Sequence, residues 1–266
     1  VNIDTFSKLL QQKGEELYRD MPWREDTRPY YVLVSELMLQ QTQVNRVVPK
    51  FETFIKKFPD EISLANASLA DVLKLWQGLG YNRRAKFLHE AAKMIVNEFA
   101  GVFPETESEL LKLPGVGKNT AGAIRVYAFN QPAIFIETNI RSVYIHHFFS
   151  DQFEVDDKEI TELLKVTIDR SNPCRFYQNL MDYASWLKTN GVKNISVSKQ
   201  YKRQLPLAGS VREVRGQIVR ELSKRDMSEI ELRQKLAVDD RFESALTGLV
   251  RDGLVTQTAL RFHLTK

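Results

Sequence analysis

Residues 113–123 read Leu113-Pro114-Gly115-Val116-Gly117-Lys118-Asn119-Thr120-Ala121-Gly122-Ala123, with a helical pattern of apolar residues on each side. The proline and the first two glycines interrupt one helix and open the next, so the run predicts a tight hairpin between two helices. Without side chains at Gly115 and Gly117, backbone N–H groups and the start of the second helix lie open to an anion. A DNA phosphate fits that description. A nucleotide-binding loop is disfavoured, because the spacing from a first glycine to Gly-Lys-Ser/Thr is missing and no strand precedes the run. Plain helix–turn packing is the alternative.

Outward from the hairpin, apolar residues recur at spacings of three and four, as in Phe6, Leu9 and Leu10, in Val32, Leu33 and Leu37, and in Phe87, Ala91 and Ile95. Pro22, Pro29, Pro49, Pro59, Pro104, Pro114 and Pro132 cut this pattern into short helices suited to a compact bundle. At 266 residues and 43% hydrophobic, the chain can build one large core or two smaller ones. No apolar run reaches bilayer length, and Val1 to Phe6 lacks the basic-then-apolar order of a secretory leader. The expectation is a cytoplasmic protein without a membrane partner, nucleoid-associated if its source is prokaryotic. A single cysteine, Cys174, excludes an internal disulfide and a four-cysteine metal or iron–sulfur site, and reads as a small packing residue. The histidines (His89, His146, His147 and His263) form no metal-ligand spacing.

Net charge is only +4, but the basic residues cluster: Lys193 to Arg203 holds four and no acid, and Arg212 to Arg225 holds five against two acids. Such clusters neutralise phosphates or simply form a solvated face. Pro206 and Gly209 break the pattern near Leu205 to Ser210, which sets a domain boundary: 1–204 and 205–266. Beyond it, 211–224, 228–236 and 240–251 read as helices, and 253–258 with 259–265 as two short strands. That order suggests a winged helix-turn-helix-like module, or a small packing or dimerisation domain.

Further runs give the hairpin a context. Pro22-Trp23-Arg24 precedes Ser35-Glu36-Leu37-Met38-Leu39-Gln40-Gln41-Thr42-Gln43-Val44, and Trp76-Gln77-Gly78-Leu79-Gly80-Tyr81 precedes Arg84-Ala85 and Leu88-His89. Together they resemble the helix-hairpin-helix DNA glycosylases over roughly Phe6 to Leu187, and the Gln-Gln-Thr-Gln-Val string resembles the adenine DNA glycosylases most. The resemblance implies a mainly α, two-part helical fold with the small C-terminal module appended, a partner in double-stranded DNA carrying a mismatch or damaged base, and a monomer. It implies DNA contacts from Arg24, from Gln40, Gln41, Thr42 and Gln43, from Gly78, Leu79, Gly80 and Tyr81, and from Leu113, Gly115, Val116, Gly117, Lys118 and Thr120. Gln41 and Tyr81 would enter the duplex as the target nucleotide flips out.

The resemblance also implies the chemistry. A purine leaves its deoxyribose more easily once a ring nitrogen is protonated, and a carboxylate stabilises the sugar cation left behind. Glu36, in the apolar helix Val32 to Leu39, matches the proton donor. The family's second carboxylate is an aspartate; the corresponding run here is Ile134-Phe135-Ile136-Glu137-Thr138-Asn139-Ile140-Arg141, with Glu137 in its place. The extra methylene moves a carboxylate by roughly 1 Å, a displacement that can cost about a hundredfold in rate. Either the backbone compensates, or the pocket serves another base, or the protein binds without cutting; Glu137 is also placed to stabilise a helix start. Asn139 matches an asparagine that positions the sugar or the acid. Asn119 stands where endonuclease III carries its catalytic lysine, and an amide forms no Schiff base. Lys118, turned about 100° away along the helix, is a phosphate contact.

The implied activity is therefore a monofunctional glycosylase acting on adenine opposite 8-oxoguanine or guanine. Thymine or uracil opposite guanine, or non-catalytic damage binding, are the alternatives. No cofactor is required: the family's four-cysteine cluster cannot form, and at most a monovalent cation sits on the hairpin carbonyls. The C-terminal tail is too short and too helical to be the domain with which these relatives read 8-oxoguanine.

Overall fold

The computed structural model of the chain describes residues 2–236 and 239–266. Along the chain run α1 (Ile3–Glu16), α2 (Pro22–Glu25), α3 (Pro29–Leu39), α4 (Val44–Lys57), α5 (Glu61–Ala65), α6 (Leu69–Trp76), α7 (Arg83–Glu98) and α8 (Glu107–Leu110). Then come α9 (Lys118–Phe129), α10 (Thr138–Phe148), α11 (Asp157–Thr167), α12 (Pro173–Thr189), α13 (Val211–Leu222), β1 (Met227–Ser228), α14 (Glu229–Leu236), α15 (Arg241–Arg251), β2 (Val255–Thr258) and β3 (Arg261–Leu264). Helix starts follow local chemistry: Asn2, Ser68 and Asn172 accept backbone N–H groups at the caps of α1, α6 and α12, and Asp156 with Glu159 makes a capping box for α11.

The helices gather into two compact units, interleaved along the chain. One comprises Val1–Val32, Glu105–Leu111 and Val116–Arg203. Its core joins Phe6 and Leu10 of α1, Ile140, Val143 and Tyr144 of α10, Ile160 and Leu164 of α11, and Tyr177, Leu180 and Leu187 of α12. Most of these side chains are fully withdrawn from water, each contributing about 1.5–3 kcal/mol of hydrophobic stabilisation.

The other unit comprises Leu33–Pro104, Lys112–Gly115 and Gln204–Lys266. Phe51, Phe54, Leu64, Val72, Trp76, Leu88 and Ile95 are buried on α4 to α7, and Trp76 meets Phe54 edge-on at 6.2 Å. Its last segment runs helix, strand, helix, helix, hairpin, with Val214, Ile218, Leu232, Phe242, Leu249 and Phe262 buried. The sequence suggests two strands here; the sheet has three, in the antiparallel order β1-β3-β2, with Met227 opposite Phe262. A strand of two residues carries no alternation to read.

Candidate active site and nucleic-acid interface

The first helix of the hairpin, α8, is a single turn. The chain reverses through Gly115 at φ +79, and Gly117 is the N-cap of α9. A Cβ at Gly115 would lie 2.8 Å from Phe87 Cβ and 2.9 Å from Leu37 Cδ2, so backbone and packing both require glycine there. Gly117 differs: its φ is −93 and an added Cβ meets nothing within 4 Å. Packing does not demand glycine at 117, and its bareness leaves the start of α9 uncovered. Lys118 and Asn119 are exposed beside it, whereas Leu113, Val116 and Thr120 are buried and offer a ligand only backbone.

In the unit that holds α4 to α7, two turns are joined by one arginine. Gln41 adopts the left-handed backbone (φ +57), as do Gly78 (+92), Gly80 (+75) and Tyr81 (+49). Gln41 and Gly78 are exposed, Thr42 and Tyr81 half-buried, and Leu79 is buried. Arg84 lies between the turns with its guanidinium withdrawn from water. It donates to the carbonyls of Leu37 (2.7 Å), Met38 (2.9 Å) and Gln40 (2.6 Å), and to Thr42 Oγ1 at 3.1 Å. From the other turn the carbonyls of Leu79 (3.3 Å) and Gly80 (3.0 Å) accept. Burial lowers its pKa to about 10, still a full cation at neutral pH. The end of α3, the Gln40–Thr42 turn and the Leu79–Gly80 turn are thereby one piece. Glu36 is half-buried on α3, where Val34, Leu37 and Met38 are buried. Gln43 is exposed at the N-cap of α4.

The other unit positions Glu137. Phe135 stacks on Tyr177 at 4.3 Å, the Tyr177 hydroxyl donates to Ala133 O at 2.8 Å, and Gly122 leaves room for the Phe135 ring. Asn119 Nδ2 donates to Ile136 O at 2.7 Å, one residue before the acid. Glu137 is then the N-cap residue of α10, and Asn139 Nδ2 donates to its Oε1 at 2.8 Å. Burial raises the Glu137 carboxyl above the ordinary range, against opposing pulls from the Asn139 hydrogen bonds and the Arg141 charge. The residue itself is half-buried. Asn119, Glu137 and Asn139 are thus brought together, with an amide and no amine at position 119.

Arg24 lies elsewhere in that unit. Its guanidinium, 7% exposed, donates to Asp182 at 2.8 and 3.0 Å, and Arg19 donates to the same carboxylate at 2.7 Å. Asp182 is buried on α12. Of the paired histidines, His146 is exposed, whereas His147 packs against Phe6 and meets the Tyr183 hydroxyl at 2.9 Å, its pKa pushed down to about 4 by burial. Cys174 is a half-buried thiol against the core of this unit, its pKa raised by burial. Among the described residues no group of three or more His, Cys, Asp or Glu could hold a metal, and no helix is long and apolar enough to cross a membrane.

A family model described as the HhH-GPD superfamily base excision DNA repair protein matches residues 34–169, which hold Glu36, both turns, the hairpin and Glu137. The chain belongs to the HhH-GPD superfamily. An adenine DNA glycosylase of Buchnera aphidicola subsp. Baizongia pistaciae is 39% identical over 183 residues, 66% of this chain and 51% of that protein. The chain spans about half the length of the Buchnera relatives it matches. An adenine DNA glycosylase of Mycolicibacterium smegmatis is 33% identical over 91% of this chain and 89% of its own length. Among solved structures, a thermostable thymine-DNA glycosylase aligns with a TM-score of 0.61 at 26% identity, over 69% of this chain and 86% of that one.

Two side chains of this HhH-GPD chain have roles that the sequence analysis does not assign. Arg84 stands in line with buried Leu88, Ala91, Ala92 and Ile95 along α7, and a cation inside an apolar stripe was the available signal. Asp182 likewise sits amid the buried Leu180, Tyr183 and Ala184, a charge that needs partners there.

Proposed function

We propose that the chain is a monofunctional adenine DNA glycosylase, which flips adenine mispaired with 8-oxoguanine or guanine out of duplex DNA and hydrolyses its glycosidic bond. The observation that carries the reading is Glu137, crowded by protein, held by Asn139, and attended by an amide at Asn119. Glu36 protonates a ring nitrogen of the base, the C–N bond breaks with its electron pair leaving on the base, and the deoxyribose becomes cationic. Water then adds to the sugar carbon and loses a proton. A carboxylate deprived of water gains most when a cation forms beside it, so Glu137 favours the transition state over the ground state. With no amine at position 119 a Schiff base has no partner, and the strand is left uncut.

Gln41 and Tyr81 enter the duplex, Gln40, Thr42, Gln43 and Gly78 to Gly80 line their turns, and Gly115, Gly117 and Lys118 with the backbone of Leu113, Val116 and Thr120 hold a phosphate. Arg24 pairs with the buried Asp182 and is left out of the DNA contacts of this reading. The M. smegmatis relative, matched almost end to end, supports adenine as the base. In this reading a glycosylase domain (1–204) carries a winged helix-turn-helix-like domain (205–266) and acts as a cytoplasmic monomer on genomic DNA. It needs no cofactor. At most a monovalent cation on the hairpin carbonyls belongs to this reading.

The test is single-turnover base release from duplexes with A opposite 8-oxoguanine, A opposite G, T opposite G and U opposite G, developed with alkali. Adenine release abolished by Glu36→Gln and by Glu137→Gln is expected. Release of thymine or uracil alone, which the likeness to a thymine-DNA glycosylase makes the second outcome to score, overturns the adenine assignment.

A further inference from the structure

The start of the C-terminal segment reaches the two residues assigned above to the duplex. Arg212 of α13 sets its guanidinium over the Tyr81 ring at 5.3 Å and donates to the Tyr81 hydroxyl; Arg84 faces the same ring at 5.4 Å. Two cations therefore lie against Tyr81. Arg212 is itself fixed by donation to Leu205 O at 2.6 Å. Gln204 donates to Gln41 Oε1 at 3.1 Å and also to the Tyr81 hydroxyl, so one amide links the tips of both turns.

The rest of the segment is anchored on α7, the helix that begins two residues after Tyr81. Asp252 takes Arg215 at 2.6 Å and lies 3.9 Å from Arg83, while Lys86 donates to the Asp252 carbonyl at 2.8 Å. Many of its other cations face its own acids: Arg225 meets Glu231 at 2.6 Å, Arg233 meets Glu229 at 2.8 Å and Arg241 meets Asp239 at 2.6 Å. Cations already neutralised have little left for a phosphate track. The segment is built to hold the turns more than to cover DNA.

We infer that Arg212 and Gln204 are positioning residues for Tyr81 and Gln41, so that the C-terminal module takes part in mismatch reading through those side chains. The inference rests on the assignment of Tyr81 and Gln41 to the duplex. Its test is a double-mutant cycle in the full chain: parent, Arg212→Met, Tyr81→Ala and the pair. Each is measured for binding to a duplex carrying a tetrahydrofuran abasic analogue opposite 8-oxoguanine, and to a fully matched duplex.

Removal of a cation–π partner should weaken lesion binding about three- to tenfold, with matched binding and the unfolding midpoint unchanged. In the Tyr81→Ala background the same substitution should change binding by less than about twofold, and Arg212→Lys should restore most of the loss. Equal losses in both backgrounds would mean that Arg212 acts on DNA by itself, and tighter binding would mean that it shields Tyr81; either result overturns the inference. Should Arg212→Met unfold the chain, Gln204→Ala against Gln41→Ala gives a second cycle with the same criterion. Base release by the parent is scored separately, so failure of the glycosylase reading and failure of this coupling remain distinct.

Discussion

Glu137→Asp restores the acid found in the resembled enzymes and should nonetheless slow this one. Loss of one methylene withdraws the carboxylate by roughly 1 Å. The 2.8 Å bond from Asn139 then opens to roughly 4 Å, beyond hydrogen-bond range. A hydrogen bond to a charged group is worth about 1.5–3 kcal/mol, or roughly ten- to a hundredfold in rate if it is needed in the transition state. A displaced carboxylate by itself gives about a hundredfold. Since Ile136 is tethered by Asn119 and Phe135 is stacked on Tyr177, the backbone has little freedom to follow the shorter side chain. Single-turnover release of adenine opposite 8-oxoguanine, with enzyme in excess, should therefore fall about a hundredfold. Asn139→Ala should fall by a similar factor. If Glu137→Asp runs at the parental rate or faster, the local backbone suits the shorter acid and the reasoning from the Asn139 bond is wrong.

The same carboxyl has a stability signature. Because burial raises its pKa, the folded chain keeps the proton to higher pH than the unfolded chain, and stability is lost as pH rises from the ordinary glutamate range through the raised value. Glu137→Gln should then melt higher than the parent at neutral pH, with the advantage vanishing in acid where both states are protonated; equal midpoints at neutral pH would contradict the burial. Asp182→Ala strands the Arg24 guanidinium in the interior and should cost about 3–5 kcal/mol in urea unfolding, and a loss under about 1 kcal/mol would show the pair to be solvated. Gly115→Ala, driven against Phe87 and Leu37, should cost about 1–3 kcal/mol. Gly117→Ala should leave the unfolding midpoint in place and weaken duplex binding, so an unfolding defect in that variant would reassign Gly117 to packing.

Much of this was legible because it is local. Proline and glycine chemistry gives the turn at 113–117, spacings of three and four give the helices, and the apolar run ending in Glu137 marks the start of α10. Less was legible where distant segments converge. Nothing near Arg84 in sequence announces that carbonyls from positions 37, 38 and 40 will meet its guanidinium. Gln204 to Lys266 cluster with Leu33 to Pro104 through partners of Arg212, Arg215 and Asp252 that only the fold supplies. The first helix of the hairpin has an apolar pattern longer than its single turn, since apolar spacing records burial and not hydrogen bonding.

Gln41 and Tyr81 hold a backbone conformation that glycine adopts freely and other residues reach at a cost of about 1–3 kcal/mol each. A library sorted for heat resistance should therefore enrich glycine at both positions, and every such winner would have discarded a side chain assigned to entering DNA. At these two sites the fittest fold and the fittest reader of DNA are different molecules, and an engineer who ranks variants by melting temperature would be selecting for blindness.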